Sequence, residues 1–298
     1  MPELPDIVVY IEHLGQRVIG EPITQIDIRH PFLLRTADPP IAAACGRRVT
    51  GLRRLGKQIV LELKGRLFLV IHLMIAGRLR WRPPGAAPPG GKLSLAALHF
   101  PKGILFLTEA GSKRRASLHL VAGETALAAF DRGGIEVLEA SIIEFATRLR
   151  SERHTLKRSL SDPRLFSGIG NAYSDEILHR ARLSPMLLSD ALNDAQVEQL
   201  HLAAQATLRE WVERLRAEAG DDFPETVTAF RQQMAVHGRF GLPCPVCGTA
   251  VQRIRYADNE TDYCPRCQTE GRLLKDRALS RLLKDDWPRS IDELEGGG

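Results

Sequence analysis

The features that mark membrane and secreted proteins are missing from this sequence of 298 residues. It contains no apolar run long enough to cross a membrane. Its acidic start lacks the basic and apolar regions of a signal peptide. We therefore expect a cytoplasmic protein that makes no contact with a membrane.

Cysteine is also scarce, with five residues in the whole chain. Four of them form two C-x-x-C pairs near the C-terminus, a pattern typical of a metal site rather than a disulfide framework. The fifth, Cys45, follows a run of alanines, and we expect it to be a packed and inert thiol.

The length and composition fit a globular protein of roughly two domains, each with its own core. Hydrophobic residues make up 44% of the chain and charged residues 26%, which is ordinary for such a protein. The formal net charge of +5 is compatible with a polyanionic partner but does not require one.

The first residues carry a candidate nucleophile. If Met1 is trimmed, Pro2 becomes an N-terminal secondary amine, followed directly by the carboxyl group of Glu3. An α-amino group titrates at about 8, well below a lysine side chain, so more of it is neutral and can attack an electrophilic sugar carbon. A neighbouring carboxyl group can donate and recover a proton. Proline and acids also favour a first helical turn, and from these residues alone that second interpretation is the stronger.

The N-terminal half combines one helix with many short strands. Apolar residues at helical spacing predict a helix over 5–18. A proline- and glycine-rich surface loop is predicted at 83–91, and Lys64 and Gly65 indicate a hairpin. The predicted strands are 58–63, 66–73, 103–108 and 116–121. This pattern predicts a β-sandwich or a flattened barrel.

The second half is mainly helical. A change of composition at 131–134 predicts a hinge, and helical periodicity covers 142–152 and 195–219. The tail has an amphipathic pattern over 273–285, for which we favour a packing role.

The cysteine pairs predict one structural zinc ion. Four thiolates in this pattern close a tetrahedral site with no position left for water, so we expect the zinc to be structural rather than catalytic. The four ligands are Cys244, Cys247, Cys264 and Cys267. Nearby arginines could face phosphates or could be solvated surface residues. They are Arg239, Arg253, Arg255 and Arg266.

A glycine-rich turn lies within 165–178. Gly168 and Gly170 allow a tight connection between two helices, and Asn171 lies where the second would begin. Free backbone N–H groups at a helix start, with the asparagine amide, can hold a phosphate. From the motif alone we favour a capped helix–turn–helix connection.

In combination, these motifs resemble the formamidopyrimidine-DNA glycosylase / endonuclease VIII family of base-excision repair enzymes. The motifs in family order are MPELPD at the start, LGK at 55–57, IHL with Gly77, SGIGNAYSDEIL at 167–178, HGR at 237–239 and the four cysteines. The resemblance ends at about residue 268, so the tail lies outside it.

The resemblance implies an α+β protein of several domains. These are an N-terminal catalytic β-sandwich with one N-terminal helix (1–132), a helical domain with a helix–two-turns–helix (133–236), a β-hairpin zinc finger (237–268) and a tail (269–298). It implies a nucleoid-associated monomer, with double-stranded DNA that contains damaged bases or abasic sites as its partner.

The resemblance also implies roles for single residues. Pro2 would attack C1′ of a damaged nucleotide, Glu3 would protonate the sugar oxygen, and Lys57 would bind the lesion and its phosphate. Asn171 would hold the phosphate beside the extruded nucleotide, and Glu176 would lie near the active site. Further DNA contacts are expected at His72, Arg114, Lys157, Arg239 and Arg255. Without the family resemblance, a solvated charge is the preferred interpretation of the lysines and a core imidazole that of His72.

Several positions depart from the family pattern. Asn259 stands where the zinc finger usually has an arginine, Ile75 where a methionine is usual, and Arg115 where an aromatic is usual. Asp6 replaces a common glutamate, and 217–232 does not match the usual lesion-recognition loop. The preferred lesion, and the choice between β- and β,δ-elimination, therefore stay open.

We predict a bifunctional glycosylase that removes damaged, oxidised bases and cleaves the strand as an AP lyase through a Schiff base on its N-terminal proline. The alternative is a DNA-structure binder of the same fold with weak or no turnover, which the Asn259 change allows. The presence of both Pro2 and Glu3 favours the enzyme. A zinc-ribbon protein of translation or transcription would explain the cysteines and the two-turn motif but not the N-terminal pair.

Overall fold

The computed structural model describes residues 1–111, 113–225, 231–256, 259–275 and 288–296. The chain divides into two compact units. Unit 1 contains Met1–Arg132 and Trp211–Thr228, and unit 2 contains Gly133–Glu210 and Ala229–Gly298. No described helix is both long and apolar enough to cross a membrane.

Unit 1 is built on two four-stranded antiparallel sheets. The strands are β1 (Gln25–Ile28), β2 (Val49–Leu55), β3 (Gln58–Leu63), β4 (Leu67–His72), β5 (Gly77–Arg82), β6 (Ser94–Phe100), β7 (Gly103–Glu109) and β8 (Ser117–Ala122). One sheet has the order β1-β6-β7-β5 and the other β2-β3-β4-β8. Alternate side chains of both sheets, including Leu61, Leu69 and Leu105, fill one buried core. The predicted β-sandwich is confirmed.

The N-terminal helix α1 (Leu4–Val18) adds Ile7 and Leu14 to this core. Pro5 suits the first turn because the N–H that it lacks has no partner there. The carboxylate of Asp6 accepts the backbone N–H of Glu3 at 2.9 Å. The start of the helix is therefore fixed directly behind Pro2 and Glu3.

A short helix, α2 (Glu124–Ala128), covers the outer face of the second sheet. Leu127 packs there in a small cluster with Val60, Phe68 and Val70. Both faces of that sheet are thus buried, which explains why QIVLEL and LFLVIH contain near-continuous apolar runs rather than a strict alternation.

Two tight turns shape the second sheet. Gly56 (φ 59°) and Lys57 connect β2 to β3. The hairpin between β3 and β4 has a loop of residues 64–66, longer than the two residues predicted. Gly65 (φ 95°) is followed by Arg66 (φ 59°), and this left-handed residue lengthens the turn.

Cys45 lies at the surface, so the prediction of a packed thiol is wrong. It follows the short 3-10 turn Ile41–Ala44, in which Ala44 takes the buried position. The alanine run therefore packs through Ala44 and leaves the next residue exposed.

Residues 211–225 also belong to unit 1. The rings of Phe223 and Tyr10 have centroids 5.7 Å apart. The Nε of Arg216 donates to the carboxylate of Glu12 at 2.9 Å. This segment is thereby packed against α1, although it lies late in the sequence.

Unit 2 is mainly helical. Its helices are α3 (Ile142–Arg150), α4 (Leu156–Ser161), α5 (Asn171–Arg180) and the greater part of α6 (Asp194–Ala219). The connection from α4 to α5 turns at Gly168 (φ 80°), as the glycine motif predicts. This is the predicted helix–two-turns–helix.

Unit 2 ends in the cysteine module. The hairpin strands are β9 (Gln252–Tyr256) and β10 (Asn259–Tyr263), and the short helices α7 (Pro265–Thr269) and α8 (Ile291–Gly296) follow. Most of the predicted tail helix, from 276 onward, lies outside the described residues.

Candidate functional site

Charged groups surround the N-terminus of unit 1. Pro2 and Glu3 are both buried, and Glu3 is only 2% exposed. Burial is the main reason why the pKa of the Met1 α-amino group lies below its ordinary value of 8.0. The carboxylate of Glu3 raises this pKa, whereas the positive charges of Arg78 and Lys57 lower it further. The backbone amine is thus held beside an acid and two cations in surroundings that favour its neutral form.

Lys57 and His72 belong to the same part of unit 1. His72 ends β4 and pairs in register with Gln58, the residue after Lys57. Burial lowers the pKa of His72 to about 4, and the charge of Lys57 contributes in the same direction. The structure therefore brings Pro2, Glu3, Lys57 and His72 into one region, with His72 uncharged at neutral pH.

Two residues that depart from the family pattern, Ile75 and Arg115, lie at the surface of unit 1. Ile75 is 57% exposed, and Arg115 is also exposed. Arg114 is half-buried, and its Nη2 donates to the backbone carbonyl of Lys92 at 2.8 Å. The arginine predicted to contact DNA is thus held in place by the backbone of a neighbouring loop.

Two further residues of this region of unit 1, Arg78 and Glu109, were not predicted from the sequence. Arg78 is the second residue of β5, and its charge reaches the Met1 amine. Glu109 is 1% exposed, and its carboxylate accepts the backbone N–H of Arg115 at 3.0 Å and that of Ala116 at 3.1 Å. An acid that ends the apolar strand GILFLTE was a signal for Glu109, since such a buried charge needs donors.

In unit 2, a buried chain of polar groups fixes the start of α5. Lys157 is 9% exposed, and its Nζ donates to the backbone carbonyl of Asn171 and to Oδ1 of Asp175, both at 2.6 Å. The other oxygen of Asp175 lies 2.8 Å from Nδ1 of His237. Asn171 itself is half-exposed at the first position of the helix. Lys157 thus supports the residue that is predicted to hold phosphate.

Glu176 is 7% exposed, and its hydrogen bonds join two segments of unit 2. Its carboxylate accepts the backbone N–H groups of Ala235 at 2.8 Å and of Val236 and His237 at 2.9 Å. Burial raises the pKa of Glu176, while these hydrogen bonds act in the opposite direction. The carboxylate therefore fixes the segment that leads into the cysteine module.

The four cysteines fit a zinc ion. The Sγ atoms of Cys244 and Cys267 are 3.9 Å apart, those of Cys247 and Cys264 are 3.4 Å apart, and all four lie within 4.8 Å of one another. Zinc–sulfur bonds of about 2.3 Å place the sulfurs of a tetrahedral site about 3.8 Å apart. The protein therefore carries one structural zinc ion, and Nε2 of His179 lies 3.3 Å from the sulfur of Cys244.

A second buried group, Asp175, His237 and Asp262, also has its ligand atoms within 4.8 Å of one another. It is already neutralised by cations. Lys157 donates to Asp175 at 2.6 Å, and Nε of Arg253 donates to Asp262 at 2.8 Å. We therefore interpret it as a structural ion-pair network rather than a metal site.

The arginines of the cysteine module differ in their surroundings. Arg239 is half-buried and donates to two backbone carbonyls at 3.2 Å. The Arg255 side chain is 67% exposed, and its Nε lies 3.2 Å from Glu260. Asn259 begins β10, and its side chain falls outside the described part of the chain.

Three family models match the chain in order. The formamidopyrimidine-DNA glycosylase N-terminal domain matches residues 1–112, the H2TH domain of the same enzymes matches 136–220, and the zinc finger found in FPG and IleRS matches 241–269.

Curated relatives match over nearly their full length. A formamidopyrimidine-DNA glycosylase of Thermus thermophilus is 35% identical over 280 residues, which cover 91% of this chain and 100% of the relative. The enzyme of Heliobacterium modesticaldum is 32% identical over 281 residues, with 90% and 100% covered.

Solved structures share the fold. The MutM (Fpg) protein from Thermus thermophilus aligns with a TM-score of 0.74 at 32% identity, covering 90% of this chain and 98% of that one. The Lactococcus lactis Fpg in complex with DNA that contains an abasic site aligns with a TM-score of 0.80, covering 90% and 99%. At 24% identity, the second match supports the fold alone.

Proposed function

The chain belongs to the formamidopyrimidine-DNA glycosylase family, and from that premise we propose how its own residues act. It is a base-excision repair DNA glycosylase with AP lyase activity, and its partner is double-stranded DNA with damaged bases or abasic sites. Our proposal adds that the damaged bases are oxidised, and that the protein acts as a monomer at the nucleoid in the cytoplasm.

The reaction starts once the damaged nucleotide has left the base stack. This extrusion costs a few kcal/mol, and the cost is lowest for a damaged base pair. After Met1 is removed, the neutral amine of Pro2 attacks C1′. A bond forms between its nitrogen and C1′, the glycosidic bond breaks, and the base takes up the proton that the Pro2 nitrogen loses. Glu3 protonates the sugar ring oxygen, so the ring opens to an iminium.

The iminium explains why base loss is coupled to strand cleavage. It acidifies the C2′ proton, and loss of this proton breaks the C3′–O bond by β-elimination. Hydrolysis of the iminium then releases the amine of Pro2. The observation that carries this proposal is the burial of Pro2 and Glu3 directly behind a Met1 amine that lies within electrostatic reach of Glu3, Lys57 and Arg78.

The remaining site residues hold the DNA in our proposal. Lys57 and Asn171 bind phosphates that flank the lesion, the second from its position at the N-terminal end of α5, where the helix dipole favours an anion. Arg114 adds a DNA contact from unit 1, and Arg239 and Arg255 add phosphate contacts from the cysteine module.

Three residues act indirectly in our proposal. Lys157 and Glu176 position the helix start and the segment before the zinc site, since both are buried and already hydrogen-bonded. His72 serves as a neutral scaffold beside Lys57.

Borohydride trapping tests the mechanism. Wild-type protein incubated with a duplex that contains one abasic site should form a stable covalent complex, and mass spectrometry should locate the adduct at residue 2. Glu3→Gln should slow its formation by about 100-fold or more, the usual scale for losing a general acid. Glu198→Gln, which changes an exposed acid of α6, is the matched control and should behave as wild type.

Two results would contradict the assignment. One is an adduct on a lysine side chain instead of the N-terminus. The other is tight binding to abasic DNA with neither trapping nor cleavage, which would favour the alternative of a DNA-structure binder.

A further inference from the structure

We propose that a surface of unit 1 binds one unstacked nucleotide of DNA, with its base on Phe32 and its phosphate among Arg29, Lys92 and Arg114. This inference rests on the proposed function only because it takes DNA as the partner. It adds a site to the surface of the β-sandwich, apart from the N-terminal amine.

An exposed aromatic ring supplies the base-stacking face. Phe32 is 69% exposed, while the next residue, Leu33, is 1% exposed and anchors the short turn in the core. The ring of His30 lies beside Phe32, with centroids 5.8 Å apart. A single exposed apolar residue is ordinary on a protein surface, so the case that Phe32 binds a base depends on the residues around the ring.

Phe32 lines an open cleft of about 510 Å³ together with His30, Arg35, Gly111 and Arg114. This volume is within the usual range for ligand sites, and no acid is among the described residues that line the cleft. The lining thus combines an aromatic face with cations, as single-strand binding surfaces do.

A second cleft, of about 360 Å³, shares Arg114 with the first and adds Arg29, Lys92 and Ser94. Its three cations are suited to one phosphate group. Arg114 is already oriented by its hydrogen bond to the Lys92 carbonyl, at 2.8 Å. Less side-chain freedom is then lost when an anion binds.

Ser94 gives independent support for an anion in the second cleft. It is 4% exposed, and its Oγ has no hydrogen-bond partner in the described part of the chain. A buried hydroxyl without a partner is unfavourable, so a hydrogen bond from Ser94 to a ligand oxygen would remove this penalty. Ser94 lies where the register of β6 and β7 shifts, at the rim of the sheet.

An unstacked nucleotide fits both clefts better than a regular duplex backbone. A paired duplex offers phosphates to the cations but no free base face to Phe32. An extruded or orphaned nucleotide offers both, and bases of every kind stack on an aromatic ring. The contribution of Phe32 should therefore depend on whether the DNA contains an unpaired base.

Titrations with two duplexes test this. One carries 2-aminopurine opposite an abasic-site analogue, and the other is the same duplex fully paired. We expect Phe32→Ala and Phe32→Leu to weaken binding to the first duplex about tenfold, on the scale of base–aromatic stacking, and to remove the quenching of 2-aminopurine. Phe32→Trp should retain both. Ile19→Ala, which removes another half-exposed apolar side chain of unit 1, should bind as wild type.

Two outcomes would overturn the proposal. One is wild-type affinity and quenching in both Phe32→Ala and Phe32→Leu. The other is equal weakening for the paired and unpaired duplexes, which would indicate a general loss of binding. Failure of the proposed mechanism can be distinguished from failure of this proposal. It would appear as an absence of borohydride trapping in wild-type protein, independently of the results of the titrations.

Discussion

At the scale of single residues, burial decides which charged forms are available. His72 is the clearest case, because burial and the charges of Lys57, His119 and Arg132 all lower its pKa, to about 4. A neutral imidazole can donate and accept hydrogen bonds but cannot attract a phosphate by charge. This favours the scaffold role over the phosphate contact.

We expect His72 to make the free energy of unfolding depend on pH. Its contribution is fully present above pH 6.5, the ordinary pKa, and is lost as the pH falls to about 4, because the unfolded chain then binds a proton that the folded chain does not. The full effect is at most about 3 kcal/mol. Urea unfolding at about pH 7 and about pH 4.5 measures it.

The His72→Gln variant isolates this residue from the other histidines. It should lose less stability between the two pH values than wild type, since glutamine has no proton to bind. His30→Gln, at a half-exposed histidine outside this group, is the matched control. If both variants follow the wild-type pH dependence, His72 does not carry the effect.

At the scale of elements, helix α5 contributes both to the proposed phosphate site and to the packing of the cysteine module. Its first residue, Asn171, is the proposed phosphate ligand, whereas Asp175, Glu176 and His179 contact the segment 235–237 and the zinc ligand Cys244. A shift of this helix would therefore disturb the proposed phosphate site and the zinc module together.

Removing the Glu176 carboxylate should destabilise unit 2. Glu176→Ala leaves three backbone N–H groups without their acceptor, and we expect a loss of about 3 kcal/mol in the free energy of unfolding. Glu176→Gln keeps one acceptor oxygen and should lose less. Urea unfolding of both, beside the exposed control Glu198→Ala, measures the difference. A Glu176→Ala midpoint equal to that of the control would show that these hydrogen bonds are not stabilising.

Elements set by local pattern could be predicted from the sequence. The first turn of α1 follows from Pro5 and Asp6, and the Lys57 turn follows from the glycine before it. The four cysteines were recognisable because zinc requires fixed ligand spacing within short turns. In each case the information lies within a few residues.

Contacts between distant residues could not be predicted in this way. Glu176 and His237 are 61 positions apart, and nothing in either segment reveals that the carboxylate accepts backbone N–H groups there. The packing of Phe223 on Tyr10 likewise depends on the folded chain returning to α1. Cys45 was judged from its apolar neighbours, but only Ala44 among them fills the core position.

At the scale of the whole molecule, the sandwich of unit 1 and the zinc-binding module of unit 2 (the hairpin β9–β10 with its four cysteines) differ in the size of their apolar cores. Unit 1 has a large apolar core of sheet and helix residues. The core of the zinc module is a small cluster, with Val236, Val251 and two of the cysteines as its buried members. So small a core cannot offset the loss of chain entropy alone, and metal binding then supplies the folding free energy.

Removal of zinc should therefore unfold the module and leave the sandwich intact. We expect a chelator to raise amide hydrogen exchange in β9 and β10 by at least about 100-fold, since the thiolate–zinc bonds hold these two strands. Exchange in α5 should rise as well, because Glu176 and His179 lose fixed partners, whereas β3 and β4 should keep their protection. Cys264→Ser should reproduce the effect and Cys45→Ser should not, because Cys45 is an exposed thiol outside the ligand set. Protection of β9 and β10 that survived complete release of the metal would show that the two strands are held by their own packing, and the structural role given to zinc would be wrong.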